Sequence, residues 1–201
     1  MRFKQFETKI GWSLVAVYLM AGCEARTTPS GASASKPGNP VAVTRPTEPQ
    51  RVEPEIKLQP IDKAGFDALL VHHPGKVVLV DFWATWCPVC REQFSHTVDL
   101  DHELGPRGLV VLSLACDDAK NSDQVLAFLQ QQQATFQNLR SVEGSGEKTF
   151  VDFQIDGGAL PHYKLYDRKG VLRRTFASDD AGESFSLEDI DAAVAELLAE
   201  G

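Results

Sequence analysis

The chain has 201 residues, of which 43% are hydrophobic, and its formal net charge is −8. An acidic chain of this kind argues against binding to nucleic acid and against electrostatic attachment to anionic lipid. Residues 55–201 are long enough to form one hydrophobic core, so a single folded domain is expected there.

Residues 1–22 have the pattern of a secretory signal peptide. Three basic residues precede an uncharged stretch over residues 10–22, which is too short to span a bilayer comfortably. The sequence Leu-Met-Ala-Gly-Cys, ending at Cys23, resembles a bacterial lipoprotein signal, in which the cysteine is lipidated and becomes the mature N-terminus. Met20 departs from that pattern, so an ordinary signal cut nearby and an uncleaved anchor stay as alternatives. We expect an exported protein of the bacterial cell envelope or periplasm, anchored by lipid on Cys23.

Residues 23–54 are rich in threonine, proline, serine, glycine and alanine, and they include few apolar residues. Such a segment cannot bury enough apolar surface to offset the conformational entropy that it would lose on ordering. We therefore predict a flexible tether that holds the folded domain, residues 55–201, away from the membrane.

The first half of the domain predicts two strands and two helices. Residues 55–61 alternate apolar and polar side chains, which favours a short edge strand that stops at Pro60. Asp62 is a candidate N-cap for the first helix. Residues 76–83 form a near-continuous apolar run, which is typical of a strand covered on both faces. A long helix then follows the cysteine pair and ends near Leu104.

The second half predicts further strands and helices and then a hairpin. In chain order these elements are a buried strand over 108–115, a helix capped by Asn121 or Ser122, a short strand over 136–139, a short helix over 147–153, hairpin strands over 162–166 and 171–176, and a last helix capped by Ser186. This order predicts an α/β fold with a central mixed β-sheet and helices on both faces.

The segment Cys87-Pro88-Val89-Cys90 lies at the junction of the first buried strand and the long helix. Pro88 falls in the first helical turn, where its missing N–H would have no intrahelical partner. Unpaired N–H groups and the helix macrodipole favour a thiolate at Cys87, so its pKa should lie below the free value of about 8.5. Cys90 follows on the same helical face. An exposed thiol of low pKa with a resolving thiol behind it is typical of a dithiol–disulfide exchanger.

The remaining cysteines and histidines predict no metal site. If Cys23 is acylated and Cys87 pairs with Cys90, Cys116 stays single, which argues against a structural disulfide framework. A structural zinc site would need a second pair of ligands at suitable spacing, and the adjacent histidines at 72–73 are distant in the sequence. We expect Cys116 to be a buried, unreactive thiol, with a third redox thiol as the alternative.

The sequence Trp86-Cys87-Pro88-Val89-Cys90 follows an apolar strand, and a proline opens a hairpin about 70 residues later. This combination resembles the thioredoxin superfamily, and in particular its exported, membrane-tethered TlpA/ResA/CcmG-like thiol–disulfide oxidoreductases. The resemblance covers residues 54–200. It implies a thioredoxin-like fold, an enzyme without a bound cofactor, and partners that are protein thiols or disulfides together with an upstream electron donor. We expect the enzyme to act as a monomer.

The resemblance also implies a role for Asp81, which matches the acidic residue buried behind the active-site pair in thioredoxin. A carboxyl group inside so apolar a strand should have a raised pKa because of desolvation. It could then accept the proton of Cys90 as that thiol attacks a mixed disulfide. The alternative is an exposed aspartate at the edge of a strand.

Four further residues are expected to bind substrate. Pro161 matches the cis-proline of the family, and Leu160 before it would pair its backbone with a substrate strand. Trp86 would pack beside Cys87 and flatten the docking surface. His162 departs from the threonine usual after this proline, and two interpretations stay open. It could tune Cys87 or help to move a proton, or it could point to solvent at the start of the hairpin.

The predicted function is that of a thiol–disulfide oxidoreductase that reduces disulfides of exported proteins, the reductive direction being an analogy with the family. Two alternatives share the fold. A peroxiredoxin-like peroxidase usually has the pattern Pro-x-x-x-Thr-x-x-Cys, whereas Thr85 is only two residues before Cys87. A copper chaperone, which would not be an enzyme, usually spaces its cysteines by three residues and adds a distal histidine.

Overall fold

The computed structural model of the protein describes residues 55–177 and 185–200. Within these residues the chain forms six strands and five α-helices. The strands are β1 Leu58–Ile61, β2 Val77–Trp83, β3 Leu109–Ala115, β4 Gln137–Ser141, β5 His162–Tyr166 and β6 Leu172–Ala177. The helices are α1 Lys63–Val71, α2 Pro88–Leu104, α3 Ser122–Gln131, α4 Glu147–Asp152 and α5 Leu187–Ala199.

The predictions for the N-terminal part of the chain concern other residues. The signal peptide over residues 1–22, the lipidation site at Cys23 and the tether over residues 23–54 lie outside the described residues. Among the helices that the structure describes, none is long and apolar enough to cross a membrane. The domain boundaries given above therefore stay predictions.

The six strands form one mixed sheet in the order β1-β4-β3-β2-β5-β6. Strand β2 pairs in parallel with β3 and antiparallel with β5, so both of its edges are hydrogen-bonded. Strands β5 and β6 form the predicted antiparallel hairpin. The predicted mixed sheet is confirmed, and the strand that leads to the cysteine pair lies inside it.

A hydrophobic cluster covers each face of the sheet. Successive side chains of a strand point to opposite faces, and β2 supplies both clusters in this way. Val80 and Phe82 pack on one face, in a cluster that includes Phe66 of α1. Leu79 packs on the other face, in a cluster that includes Ile190 of α5. Helices therefore lie on both faces, as predicted.

The predicted helix caps are largely confirmed. The Asp62 side chain accepts a hydrogen bond from the amide of Gly65 at the start of α1, over 2.8 Å. Ser186 and Asp189 form a reciprocal capping box at the start of α5. Asn121 occupies the cap position of α3 but makes no side-chain cap bond there, and the Ser122 hydroxyl donates to the Ala119 carbonyl.

Strand β1 differs from the prediction in its bounds. It begins at Leu58, and Pro60 lies inside it rather than ending it. Strand β1 is at the edge of the sheet, where one side of its backbone needs no ladder partner. A proline that lacks an N–H can therefore sit within this strand.

Phe94 of α2 is expected to hold the start of that helix against the sheet. Its ring has no exposed surface and lies 4.8 Å from the Trp83 ring, 5.2 Å from Phe128 and 6.3 Å from Phe136, measured between centroids. Replacement by alanine should lower the free energy of unfolding by about 3–5 kcal/mol, because it removes apolar contacts and leaves a cavity. Urea unfolding of the two proteins measures this difference.

Val71→Ala on α1 is the matched control, since the Val71 side chain is 79% exposed. That substitution should change the free energy of unfolding by no more than about 0.5 kcal/mol. Equal losses in the two variants would contradict the packing account.

Candidate active site

Cys87 and Cys90 form a disulfide at the start of α2, with sulfur atoms 2.07 Å apart. Cys87 is the N-cap residue and Pro88 occupies the first turn, as predicted. The Cys87 sulfur accepts a hydrogen bond from the backbone amide of Cys90 over 3.2 Å. Cys87 exposes 6% of its surface and Cys90 2%, so the predicted exposed thiol is less accessible than expected.

The start of α2 is suited to hold a thiolate at Cys87. The first turn contains no acidic side chain, so no carboxylate of that turn opposes the positive end of the helix dipole. The amide that now faces the Cys87 sulfur would also face a thiolate sulfur after reduction of the disulfide. A hydrogen bond to the charged form stabilises it and lowers the pKa of the thiol.

The loop before Cys87 is anchored by a buried carboxylate that the sequence did not single out. Asp117, directly after Cys116 at the end of β3, has no exposed surface. Its Oδ2 accepts a hydrogen bond from the Thr85 amide over 3.0 Å, and its Oδ1 accepts one from the Thr85 hydroxyl. Because β2 and β3 are parallel neighbours, their carboxyl ends meet at one edge of the sheet. An acid directly after the second buried strand was the available signal.

Asp81 lies in the middle of β2 and is almost completely buried. Burial raises the pKa of Asp81 to about 7, although a hydrogen bond from the Thr97 hydroxyl, 2.7 Å from Oδ2, opposes this shift. Within the described residues the other carboxyl oxygen, Oδ1, has no hydrogen-bond partner. The predicted burial and raised pKa are confirmed, and the alternative of an exposed strand-edge aspartate is wrong.

Thr97 was not predicted to contact the site. It lies seven residues after Cys90, so two helical turns bring it to the same face of α2. Its hydroxyl connects this face of the helix to Asp81 in the sheet. A hydroxyl at this spacing inside the predicted long helix was the signal that could have identified it.

Cys116 is a free thiol with no exposed surface. Burial raises the pKa of this thiol far above its ordinary value, and the nearby charges of Asp117 and Asp81 raise it further. A thiol that stays protonated near neutral pH is a poor nucleophile. The predicted burial of Cys116 is confirmed.

The peptide bond between Leu160 and Pro161 is cis, as predicted. It immediately precedes β5, whose first residue, His162, is paired with Phe82 of β2. Pro161 therefore lies at the end of β2 that leads to Cys87. Leu160 is partly buried against the hydrophobic cluster of that face.

His162 does not point to solvent, and that interpretation is wrong. Its side chain has no exposed surface, and its ring meets the Phe82 ring edge-on with centroids 5.7 Å apart. Burial lowers the pKa of His162 to about 4, and the charge of Lys164 lowers it further while Asp156 opposes the shift. Neither ring nitrogen has a hydrogen-bond partner within the described residues. Because its pKa lies well below 7, the ring is neutral at pH 7. The other side chains of β5 are buried as well.

Trp86 lies at the surface, where half of its side chain is exposed, and directly precedes Cys87. Phe82 and Trp83 have no exposed surface, as expected for core residues. In the described part of the chain, no group of three or more histidine, cysteine, aspartate or glutamate side chains is placed to hold a metal ion.

Comparison with curated proteins finds a thioredoxin-like protein and thiol:disulfide interchange proteins. Thioredoxin-like protein YneN of Bacillus subtilis is 29% identical over 120 residues, which cover 60% of this chain and 66% of the relative. Thiol:disulfide interchange protein DsbE of Escherichia coli is 28% identical over 127 residues, which cover 63% of each chain. The chain therefore spans just under two thirds of the length of these relatives.

The solved structures share the fold. The crystal structure of a thiol:disulfide interchange protein, a thioredoxin family protein from Chlorobium tepidum, superposes with a TM-score of 0.50. It is 23% identical and covers 64% of this chain and 83% of its own. This likeness agrees with the predicted thioredoxin-like fold.

The profile of the AhpC/TSA family matches residues 51–175, which include β1 to β5 and both cysteines of the pair. Because this match covers more than half of the chain, the protein belongs to the AhpC/TSA family, and its predicted thioredoxin-like character is confirmed.

Proposed function

We propose that the protein is a thiol–disulfide oxidoreductase that reduces disulfides of exported proteins through Cys87 and Cys90. The observation that carries the proposal is their disulfide at the start of α2, where the Cys87 sulfur accepts a hydrogen bond from the Cys90 amide. A pair that forms a disulfide and also has a site for a thiolate can alternate between both redox states.

The relatives support the same reaction class. The E. coli relative is named a thiol:disulfide interchange protein, and the B. subtilis relative is named a thioredoxin-like protein. The reductive direction rests on the resemblance of the cysteine motif to tethered thiol–disulfide oxidoreductases. The electron donor in this proposal is a dithiol protein of the same compartment.

The reaction proceeds by two exchanges. The Cys87 thiolate attacks one sulfur of a substrate disulfide and bonds to it, while the other substrate sulfur leaves with the electron pair and is protonated. Cys90 then loses its proton and attacks the Cys87 sulfur. This step releases the second substrate thiol and forms the Cys87–Cys90 disulfide. Two electrons have passed to the substrate, and the dithiol donor must reduce the new disulfide before the next turnover.

Asp81 is proposed to accept the Cys90 proton during the second exchange. A carboxyl whose pKa is raised to about 7 is well matched to take and return a proton near neutral pH. The hydrogen bond from Thr97 fixes Oδ2, so the unpartnered Oδ1 is the oxygen proposed to receive the proton. Thr97 is in this account a positioning residue.

The substrate is proposed to dock on Trp86 and on the segment from Leu160 to His162. The backbone of Leu160, before the cis bond, would pair with the extended chain around the substrate disulfide. The His162 ring is neutral and packs on Phe82, so it would support this segment by packing rather than by charge.

The protein is proposed to be exported and held at a membrane by lipid on Cys23. The proposal rests on the residues around Cys23 and on the basic and uncharged segments before it. A disulfide can persist in such a compartment. We further propose that the enzyme acts as a monomer.

Substitution of each cysteine tests the reaction. Cys87→Ser should reduce the rate of insulin reduction to background, because the attacking sulfur is lost. Cys90→Ser should still attack and should accumulate a mixed disulfide with the substrate, since nothing resolves it. Non-reducing electrophoresis detects that adduct, and the rate of insulin reduction measures turnover.

Cys116→Ala is the matched control and should keep the wild-type rate, because Cys116 is buried and protonated. Unchanged insulin reduction by Cys87→Ser would overturn the mechanism. Rapid peroxide turnover without a protein disulfide would favour the peroxidase alternative instead.

The redox equilibrium of the pair tests the direction. The reduction potential of Cys87–Cys90 should lie nearer to the value of about −270 mV for thioredoxin than to that of about −120 mV for DsbA. Equilibration with glutathione, followed by thiol alkylation and mass spectrometry, measures it. A potential close to that of DsbA would contradict the reductive direction and leave the exchange chemistry intact.

The buried Asp81 carboxyl predicts a pH-dependent stability. Its pKa is about 7 in the folded protein and near 4 in the unfolded chain, so ionisation opposes folding. The contribution of protonated Asp81 to the free energy of unfolding is therefore fully present below pH 4. It is lost as the pH rises from there through 7, and the total loss is up to about 4 kcal/mol. Asp81→Asn should lack this loss and should be more stable than wild type at pH 8.5. Urea unfolding between pH 4 and 9 measures both curves.

Asp152→Asn is the control for Asp81, because that carboxylate lies on α4 in a surface ion pair with Lys148. The pH dependence of its free energy of unfolding should follow that of the wild type. If the curves of Asp81→Asn and wild type run parallel over this pH range, Asp81 does not titrate as described, and its role as proton acceptor fails with it.

A further inference from the structure

A groove begins beside the cysteine pair and runs between the start of α2 and the outer face of α3. Its volume is about 550 Å³, and its lining includes Trp86, Arg91, Asn121, Gln124, Phe128 and Gln131. We call it the α2–α3 groove. Trp86 immediately precedes Cys87, so a chain that presents a disulfide to Cys87 passes the mouth of this groove.

Arg91 gives the groove a positive charge. Its guanidinium carbon lies 5.7 Å from the centroid of the Phe128 ring, a cation–π contact that holds the side chain along the groove. Among the described residues no carboxylate lines the groove itself, and Glu92 lines its continuation past Pro88. Among the ion pairs of residues 55–177 and 185–200, none involves Arg91. A cation without a carboxylate partner is notable in a chain whose net charge is −8.

The rest of the lining is rich in amides. Asn121, Gln124 and Gln131 offer both N–H donors and carbonyl acceptors. These groups match the alternating donors and acceptors of an extended peptide backbone. The glutamine run at residues 130–133 ends α3, and Gln131 and Gln132 border the groove and its continuation past Pro88.

We propose that the α2–α3 groove binds the extended segment next to the disulfide of a substrate protein and that Arg91 selects segments carrying an aspartate or glutamate there. The amides would hold the backbone of any sequence, and the guanidinium would supply the selectivity. This inference rests on the proposed function and names the class of substrate that the site prefers.

Three synthetic peptides test the selectivity. They share one cysteine, blocked as a neutral 2-thiopyridyl disulfide, and differ only in one residue two positions away, which is aspartate, asparagine or lysine. Attack by the Cys87 thiolate bonds it to the peptide sulfur and expels 2-thiopyridine, whose absorbance gives the rate. Each rate with the reduced full chain is divided by the rate for the small neutral hydroxyethyl disulfide, which has no segment to fill the groove.

The aspartate peptide should react about three to five times faster than the lysine peptide at low salt, the range expected for one exposed ion pair. The asparagine peptide should fall between them, and salt should reduce the difference. Arg91→Gln should abolish the preference, and Arg91→Glu should invert it.

Arg107→Gln is the matched control, because Arg107 is an exposed cation in the short 3-10 helix after the far end of α2. This variant should keep both the preference and the hydroxyethyl disulfide rate. Equal normalised rates for the three peptides, or a preference that persists in Arg91→Gln, would overturn the groove proposal and leave the oxidoreductase standing. No reaction with hydroxyethyl disulfide or with any peptide would instead overturn the proposed function.

Discussion

Strand β2 is enclosed on all four sides, and the candidate site depends on that constraint. A hydrogen-bonded strand lies along each edge, and a hydrophobic cluster covers each face. Every residue of the strand is therefore buried, Asp81 included. The strand ends two residues before Thr85, whose amide and hydroxyl are bound by the buried Asp117. Cys87 is thus connected to a buried strand by a short loop, and hydrogen bonds to Asp117 hold this loop against the end of the neighbouring strand β3.

The same burial acts on the ionisable groups around the cysteine pair. Desolvation disfavours the charged form, so it raises the pKa of Asp81 to about 7 and lowers the pKa of His162 to about 4. Both shifts favour a neutral side chain near pH 7. The neutral His162 ring therefore adds no positive charge to the effect of the helix N-terminus on a Cys87 thiolate. Asp81 stays close to the pH at which it can gain or lose a proton.

Features that depend on a few neighbouring residues, such as buried strands and helix caps, could be predicted from the sequence. Contacts that depend on which strands pair in the sheet could not. Continuous apolar runs identified the buried strands, and Asp62 identified the start of α1, because each signal lies within a few residues. The cis bond before Pro161 could be expected only from the family resemblance. The tie between Thr85 and Asp117 joins residues 32 positions apart and depends on β2 and β3 being parallel neighbours. His162 was ambiguous because its burial follows from its pairing with Phe82, which no local pattern contains.

In the proposed mechanism the reacting sulfur atoms lie at the start of α2, whereas most side chains proposed to hold the substrate segment belong to α3. The first turn of α2 carries the cysteines, and its position is fixed by β2 and β3. Helix α3 turns Val125 and Leu129 inward to the core, whereas Gln124 and Gln131 on its outer face are exposed. If the α2–α3 groove binds the substrate as proposed, changes on that outer face would alter which substrate segment fits without disturbing Cys87 or Asp81. A family with one reaction could therefore acquire different substrates by varying α3 and Arg91 while keeping the enclosed strand unchanged.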